Sequence, residues 1–344
     1  MTPAGSAPSA PEWKVWTALG IVYVVWGSTY MAIRVVVESM PPLLTAGVRF
    51  ALAGLILFTL LALTRRASSM RLSRAEWLGA GFVGLALLLG GNGLVVLGER
   101  DVPSALAALI VAVIPLWVVI LRRVFGERIA LGTIVGVVAG FAGVAVLIVP
   151  RGLAAGSSEL IGMLMLVVAG LSWSVGSYFS KRVALPRDPL ASTAAQMIAG
   201  GAGLLVVGVL VGEVGLADFS RFSESSLIAF VYLLFLGSVL AYTAYTWLLQ
   251  NAPVSRVATY AYVNPVVAIF LGWWLLHEEI NATMLAGAAM IIVSVAVVMR
   301  TERRAARTGL AAGAAEASPA AVEEITEVEQ HELERPDDDF SRLA

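Results

Sequence analysis

Hydrophobic and polar positions alternate along this chain in long blocks rather than residue by residue. Apolar runs of roughly 20 residues recur from residue 15 to residue 299, and each can cross a hydrocarbon layer of about 30 Å as an α-helix. The pattern predicts an all-α integral membrane fold. Ten transmembrane helices are expected near residues 15–37, 42–64, 77–97, 103–121, 129–149, 159–179, 189–211, 226–249, 253–276 and 281–299.

The composition agrees with this interpretation. Of the 344 residues, 59% are hydrophobic and 14% are charged, and the mean hydropathy is +0.86. A soluble domain has about 25% charged residues. A transmembrane β-barrel would instead show alternating segments of about 10 residues. The chain contains no cysteine, which excludes disulfides and cysteine-ligated metals.

The basic residues orient the predicted helices, because cytoplasmic loops are enriched in Lys and Arg. If the N-terminus is cytoplasmic, the outer loops contain only Arg100, Arg151 and Arg221. The cytoplasmic segments then contain Lys14, Arg65, Arg66, Arg71, Arg74, Arg122, Arg123, Arg128, Lys181, Arg182, Arg187, Arg256, Arg300, Arg303, Arg304 and Arg307. We therefore predict that both termini are cytoplasmic.

The predicted domain organisation consists of two tails and two five-helix units. Residues 1–13 are rich in Pro, Ala and Ser, and residues 301–344 are rich in Ala and Glu with an acidic end. We expect both segments to be disordered, the second as a cytoplasmic extension. Residues 14–150 form the first unit and residues 157–300 the second.

The two units are related as repeats, with matches at an offset of about 150 residues. Trp26 falls on Trp173 and Arg49 on Gln196, while VPSALAALIVAVIP (102–115) falls on APVSRVATYAYVNP (252–265). Because each repeat has five helices, the second must enter the membrane from the opposite side. Such inverted repeats are typical of secondary transporters, whose substrate site lies near the midplane between the repeats.

Several of these elements resemble a known family. WGSTYMAIR in the first helix, VPSALAALIVAVIPLW followed by GERI, and PVSRVATYAYVNPVVA followed by EE are similar to the EamA-type branch of the drug/metabolite transporter superfamily. The resemblance covers both repeats, about residues 15–300. It implies a central cavity formed by helices 1–4 and 6–9, peripheral helices 5 and 10, and export of metabolites such as amino acids or of toxic compounds.

The small multidrug exporters of the same superfamily couple transport to protons through a glutamate in their first helix. The first predicted helix here contains no acidic residue, so the chain departs from that pattern.

Two arginines are candidates for substrate binding. Arg49 lies about 10 Å deep in the second helix at about 1.5 Å per residue, and an ionisable group at such depth almost always faces protein or a water-filled cavity. We expect it to bind a solute carboxylate, or else to pair with helix-end carbonyls or with Glu38. Arg34 lies near the outer end of the first helix, where it can also snorkel to the interface.

Aromatic and amide side chains complete the predicted substrate pathway. Trp26, Tyr30 and Arg34 follow one another at helical spacing on one face of the first helix. The other candidates are Asn92, Trp117, Trp173, Ser177, Gln196, Tyr242, Tyr245, Tyr260 and Asn264. For each residue alone, core packing is the alternative. Together they suit a zwitterionic or aromatic metabolite better than an inorganic ion.

Two prolines fall at matching positions inside helices 4 and 9. Pro115 and Pro265 each free one backbone carbonyl a turn earlier. We expect them to kink these helices and to act as gating points; a structural kink without gating is the alternative.

These features favour a secondary transporter that exports a small organic metabolite across a bacterial cytoplasmic membrane by alternating access. We expect no enzymatic activity, cofactor or metal, since no zinc-protease, nucleophile-elbow or phosphate-loop motif occurs. The expected partners are a small-molecule substrate and the lipid bilayer, not nucleic acid; a homodimer and the coupling ion stay open. A facilitative importer or exchanger, and a membrane receptor acting through its acidic tail, are the alternatives.

Overall fold

The computed structural model describes residues 11–64, 71–127, 129–154, 157–252, 254–257 and 259–316. Over these residues the chain is helical apart from short turns, which confirms the all-α prediction. Its helices, in chain order, are α1 (Glu12–Val37), α2 (Pro42–Leu63), α3 (Arg74–Gly98), α4 (Ser104–Val111 and Ile114–Val124), α5 (Leu131–Ala154), α6 (Ser157–Phe179), α7 (Pro189–Leu210), α8 (Glu224–Asn251), α9 (Val254–Val257 and Tyr260–Leu276) and α10 (Ala282–Glu316).

The helices have the length and composition of membrane spans. In the part of the chain that the structure describes, nine helices are long and apolar enough to cross a bilayer. The tenth, α9, has a shorter apolar stretch, Val263–Leu276, because it is divided near its start. The observed helices therefore fall on the ten predicted spans.

Carboxylates from the second repeat cap two helices of the first. Glu213, in the turn after α7, accepts hydrogen bonds from the backbone N–H groups of Leu43 and Leu44 at the start of α2, at 3.2 and 2.8 Å. Glu278, between α9 and α10, accepts from the N–H groups of Ser104 and Ala105 at the start of α4, at 2.8 and 3.0 Å. These bonds satisfy otherwise unpaired helix-end donors and join the repeats at their predicted outer side.

The equivalent helices α2 and α7 pack directly against each other across the centre of the molecule. A Cβ atom added to Gly201 of α7 would lie 2.6 Å from the backbone nitrogen of Ala51 in α2. A Cβ on Gly47 of α2 would lie 2.9 Å from the backbone nitrogen of Leu205 in α7. Small residues at these points allow the two helix backbones to approach closely, as is common in membrane proteins.

Three helices contain π-helical stretches: Val22–Trp26 in α1, Leu85–Gly93 in α3 and Leu233–Tyr242 in α8. The last two occupy matching positions of the two repeats. A π-helical turn contains an additional residue, so it rotates the side chains that follow it and is frequent at functional sites. Each stretch contributes at least one residue to the central cavity described below.

The two predicted proline kinks differ in the structure. In α4 the helix is interrupted at Ala112 and Val113, and Pro115 lies at the start of the second segment. In α9 the helix continues through Pro265, and its interruption comes earlier, before Tyr260. Pro115 therefore adjoins a break, whereas Pro265 is accommodated inside a continuous helix. Gating at either residue stays a prediction.

The last helix is longer than predicted. The compact membrane unit ends at Met299, but the backbone of α10 stays helical to Glu316. Residues 301–316 were expected to belong to a disordered tail; this stretch contains several alanines, which have the highest helix propensity. The rest of that expected tail, 317–344, and residues 1–10 of the predicted N-terminal tail lie outside the described residues.

Candidate functional site

A central cavity lies between the two repeats. Its free space is about 690 Å³. Seven helices line it, namely α1, α2, α3, α4, α6, α8 and α9. The lining residues are Trp26, Thr29, Tyr30, Ile33, Arg49, Phe50, Leu88, Gly91, Asn92, Val95, Val111, Ile114, Ala169, Trp173, Gly237, Tyr242, Tyr260 and Asn264. A narrow, mostly apolar space with a few polar groups is typical of small-molecule sites.

Arg49 provides the positive charge of this cavity. Its side chain is buried, with 4% of the residue exposed, and its Nη2 donates to Asn92 Oδ1 at 2.8 Å. The guanidinium carbon lies 4.1 Å from the centre of the Phe50 ring, so the cation also rests on an aromatic face. Among the described residues, its Nε has no hydrogen-bond partner. Arg49 is thus held in place by neutral groups and retains a free donor.

Glu99 is a charged residue of this region that the sequence analysis did not select. It directly follows α3, is fully buried, and neither carboxyl oxygen accepts a hydrogen bond from a described residue. Burial raises the pKa of this carboxyl well above its ordinary value, and the nearby Glu278 raises it further, while Arg34 and Arg49 lower it. An acidic residue that ends a long apolar run was the available signal in the sequence.

Arg34 is half-buried and reaches the C-terminal end of α3. Its Nη1 donates to the backbone carbonyls of Glu99 and Arg100 at 2.5 and 2.7 Å. A cation at the C-terminal end of α3 stabilises the unpaired carbonyls there and the negative end of the helix dipole. Arg34 does not line the central cavity.

Five aromatic rings gather on one side of the cavity and form an aromatic cluster: Trp26, Trp173, Tyr242, Tyr245 and Tyr260. The Trp26 ring lies 4.8 Å from that of Tyr245, 5.4 Å from Trp173 and 5.7 Å from Tyr260 between ring centres. Such tilted and edge-to-face arrangements are the favoured ones for aromatic pairs. The cluster draws on α1, α6, α8 and α9, and so connects the repeats.

Hydrogen bonds hold several members of the aromatic cluster. Trp26 Nε1 donates to the carbonyl of Gly237 at 3.2 Å, within the π-helical stretch of α8. The hydroxyl groups of Tyr245 and Ser177 lie 2.9 Å apart. Ser177 therefore holds the Tyr245 ring of the cluster in place, and neither residue lines the central cavity.

A second cavity, which we call the vestibule, lies at the helix ends predicted to be cytoplasmic. Its free space is about 1050 Å³. The residues that line it are Val83, Ser180, Lys181, Val183, Leu185, Pro186, Arg187, Ser192, Gln196, Thr246, Leu249 and Gln250. Burial lowers the pKa of Lys181. The lining contains two basic residues and no acidic one.

One hydrogen bond connects the walls of the two cavities. Tyr242, which lines the central cavity, donates from its hydroxyl to Gln196 Oε1 at 2.9 Å, and Gln196 lines the vestibule. Gln196 Nε2 in turn donates to Ser192 Oγ at 2.9 Å. Gln196 therefore faces the vestibule rather than the central cavity for which the sequence proposed it.

Asn264 and Trp117 complete the predicted set. The Asn264 amide is buried and lines the central cavity; with its nitrogen facing the carbonyls of Tyr23 and Tyr260, it donates to both at 3.2 Å. Trp117 instead packs edge-on against Phe141 of α5, with 4.8 Å between ring centres. It does not line the cavity. Of the thirteen predicted pathway residues, those outside the cavity wall are Arg34, Trp117, Ser177, Gln196 and Tyr245.

The helices, the repeats and the mostly apolar cavity between them are typical of one class of protein, the multi-pass α-helical membrane transporters. The sequence model of the EamA-like transporter family matches residues 14–149 and 160–300, one match for each repeat. The chain therefore belongs to the EamA-like transporter family, and both the predicted family and the two-repeat organisation are confirmed.

Named relatives agree with this assignment. The "Uncharacterized inner membrane transporter YedA" of Escherichia coli (strain K12) is 37% identical over 284 residues, which cover 82% of this chain and 89% of the relative. The "Probable amino-acid metabolite efflux pump" of Salmonella typhimurium is 26% identical over 285 residues, which cover 79% of this chain and 90% of the relative. A protein of known crystal structure matches with a TM-score of 0.61 at 20% identity, over 86% of this chain and 99% of that one, and shows the shared fold.

Proposed function

We propose that this transporter exports a small metabolite that bears a carboxylate, such as an amino acid or a related aromatic compound, across the bacterial cytoplasmic membrane. The observation that carries the proposal is the buried Arg49 in a cavity between the repeats. A buried cation whose described partner is a neutral amide is costly unless an anion completes its environment, and a solute carboxylate supplies one.

The remaining cavity walls favour an organic solute. The polar residues of the lining include tyrosines and asparagines, and Trp26 and Trp173 add aromatic surface. These groups bind an apolar or aromatic body together with polar ends. The names of two relatives, an inner membrane transporter and an amino-acid metabolite efflux pump, support the same substrate class and membrane.

The geometry also supports alternating access. With the orientation inferred from the basic residues, both termini are cytoplasmic, and the helix-capping carboxylates Glu213 and Glu278 join the repeats at the outer side. The vestibule then opens towards the cytoplasm, and the aromatic cluster with the Tyr242–Gln196 hydrogen bond separates it from the central cavity. Rocking of one inverted repeat against the other exposes the cavity to each side in turn.

Metabolite profiling of cells and medium tests this proposal. Cells expressing the wild type are compared with cells expressing Arg49→Gln at equal abundance in the membrane. With the wild type, we expect the concentration of a carboxylate-bearing solute to fall inside the cells and to rise in the medium. With Arg49→Gln, we expect neither change. The matched control is Arg221→Gln, which removes an exposed arginine of an outer loop and should export like the wild type. Equal export by wild type and Arg49→Gln would refute the role of Arg49.

A further inference from the structure

Glu99 and Arg49 are two buried residues of opposite charge that lie near enough to interact electrostatically. The carboxyl oxygens of Glu99 and the Nε of Arg49 are all buried, and none of these atoms makes a hydrogen bond with a described residue. Buried polar atoms are hydrogen-bonded in the large majority of cases, so each exception requires an explanation. Among the described residues with such unpaired atoms, which also include Trp117, Trp173, Ser238 and Thr243, Glu99 and Arg49 are the two that carry a charge.

Glu99 continues the face of α3 that lines the cavity. Asn92 and Val95 are lining residues, and Glu99 follows them by seven and four positions, which at helical spacing places it on the same face one turn further out. Its backbone N–H still donates to the carbonyl of Val95 at 2.9 Å. The carboxyl group therefore lies behind the outer wall of the cavity rather than in an exposed loop.

Charged and titratable groups face Glu99 from three other elements. Arg34 and Tyr30 approach from α1, Arg49 from α2, and Glu278 from the turn after α9. Arg34 is already engaged by two backbone carbonyls, and Glu278 by Ser104 and Ala105 at the start of α4. Arg49 is the cation that retains a free donor.

The protonation state of Glu99 follows from this environment. An ionised carboxylate without hydrogen-bond donors is strongly disfavoured in a buried site, whereas a neutral carboxylic acid is tolerated far better. Burial together with the charge of Glu278 outweighs the two arginines and keeps the pKa of Glu99 well above its ordinary value. This environment therefore favours the protonated carboxyl group over the ionised one.

We propose that Glu99 is a proton-binding site of the transport cycle, and that its proton and the carboxylate of the solute bind together. The inference rests on the proposed function, because it assigns the solute carboxylate to Arg49. Ionised Glu99 and the solute carboxylate compete for the same guanidinium group. When Glu99 takes up a proton, Arg49 becomes available to the solute, so one proton moves with each carboxylate in the same direction.

This arrangement differs from exchange of a proton against the solute at one carboxylate. In that scheme protonation expels the solute, whereas here protonation favours its binding. Binding linkage is reciprocal, so a carboxylate bound at Arg49 must also favour protonation of Glu99. Net movement then follows the combined gradients of the proton and the solute.

Infrared spectroscopy of the purified full-length protein in lipid vesicles tests the proton site without any transported solute. We expect the wild type at neutral pH to show a carbonyl stretch from a protonated carboxylic acid, to lose it at alkaline pH, and to lack it in Glu99→Gln. Glu224→Gln, which removes an exposed acid at the start of α8, is the matched control and should keep the band. Because transport is not measured, the result is independent of whether export is detected in cells.

Benzoate serves as the carboxylate probe and benzamide as its uncharged counterpart. The spectra are compared at a pH where half of the band is lost. Benzoate should restore the band in the wild type, whereas benzamide should not. In Arg49→Gln, neither compound should change the band. Identical spectra of wild type and Glu99→Gln at every pH would overturn the proton site. A band that benzoate leaves unchanged would overturn its linkage to Arg49. Failure to recover folded Glu99→Gln would also count against the proposal, because glutamine closely matches the neutral acid in shape.

Discussion

The two repeats place equivalent hydrogen bonds at the same point of the fold but give them different chemistry. In the first repeat Arg49 of α2 donates to Asn92 of α3 at 2.8 Å, and in the second Tyr242 of α8 donates to Gln196 of α7 at 2.9 Å. Arg49 and Gln196 correspond in the repeat alignment, and Asn92 and Tyr242 both lie towards the ends of the matching π-helical stretches.

The difference gives equivalent positions of the two repeats separate surroundings. The charged pair faces the central cavity, where it can bind an anion, while Gln196 of the neutral pair faces the vestibule and its bond to Tyr242 separates the two spaces. We infer that the first repeat supplies substrate recognition and the second supplies closure on the predicted cytoplasmic side. In the proposed mechanism, the backbone symmetry permits alternating access and the side-chain asymmetry makes the two sides of the membrane different.

The largest effect on transport should follow from replacing Arg49 of the charged pair by the glutamine that the second repeat has at the equivalent position. Arg49→Gln removes the cation, and hydrogen bonds to charged groups contribute about 1.5–3 kcal/mol, so uptake of a carboxylate solute into vesicles should fall roughly tenfold to a hundredfold. Arg49→Lys keeps the charge but loses the planar donor geometry and should retain part of the uptake. Loss of uptake in both variants to the same extent would show that charge alone is not what Arg49 contributes.

The next largest effect should come from overpacking the close contact between α2, which carries Arg49, and α7, which carries Gln196. Gly201→Ala places a methyl group 2.6 Å from the Ala51 nitrogen, and overpacking of this kind costs about 1–3 kcal/mol. The matched control is Gly81→Ala in α3, where an added Cβ meets nothing within 4 Å. Thermal unfolding in detergent should show a lower transition temperature for Gly201→Ala and an unchanged or higher one for Gly81→Ala.

The stability of the wild type should depend on pH through Glu99. Because its pKa is raised in the folded state, Glu99 stabilises the fold fully below its ordinary pKa, and this contribution is lost as the pH rises towards the folded-state value. The loss is about 1.4 kcal/mol per pH unit within that window. Relative to Glu99→Gln, the transition temperature of the wild type should therefore fall from acidic to alkaline pH; parallel curves would contradict a raised pKa.

Much of the fold and part of the candidate site could be predicted from the sequence. Long apolar runs predict the spans, because a helix in lipid must satisfy its own backbone groups and leaves few alternatives. The repeat alignment pairs Trp26 with Trp173, and their rings are in contact. The depth of Arg49 predicts a cavity, since a charge at that depth needs an aqueous or polar environment.

Other features depend on helix rotation, which the sequence does not specify. Trp117 turns to Phe141 because the interruption at Ala112 and Val113 resets the orientation of the second segment of α4. The π-helical stretches likewise change which side chains face inward, so uniform spacing does not distinguish Tyr242 from Tyr245. The burial of Glu99 could not be predicted, because its local sequence GERD (98–101) has the composition of an exposed loop. The packing of α1, α2 and the turn after α9 buries the residue.

The smallest effect should come from weakening the neutral pair. Tyr242→Phe removes one uncharged hydrogen bond, worth about 1 kcal/mol, and so should raise the fraction of molecules whose cavity is open to the vestibule about fivefold. The chain has no cysteine, so a single Thr29→Cys in the cavity wall reports this opening through its rate of modification by a membrane-impermeant maleimide. Reagent on the cytoplasmic side should modify Thr29→Cys faster when Tyr242→Phe is also present, and reagent on the outer side should not. Faster modification from the outer side would place the closure at the opposite end of the pathway and reverse the roles assigned to the two repeats.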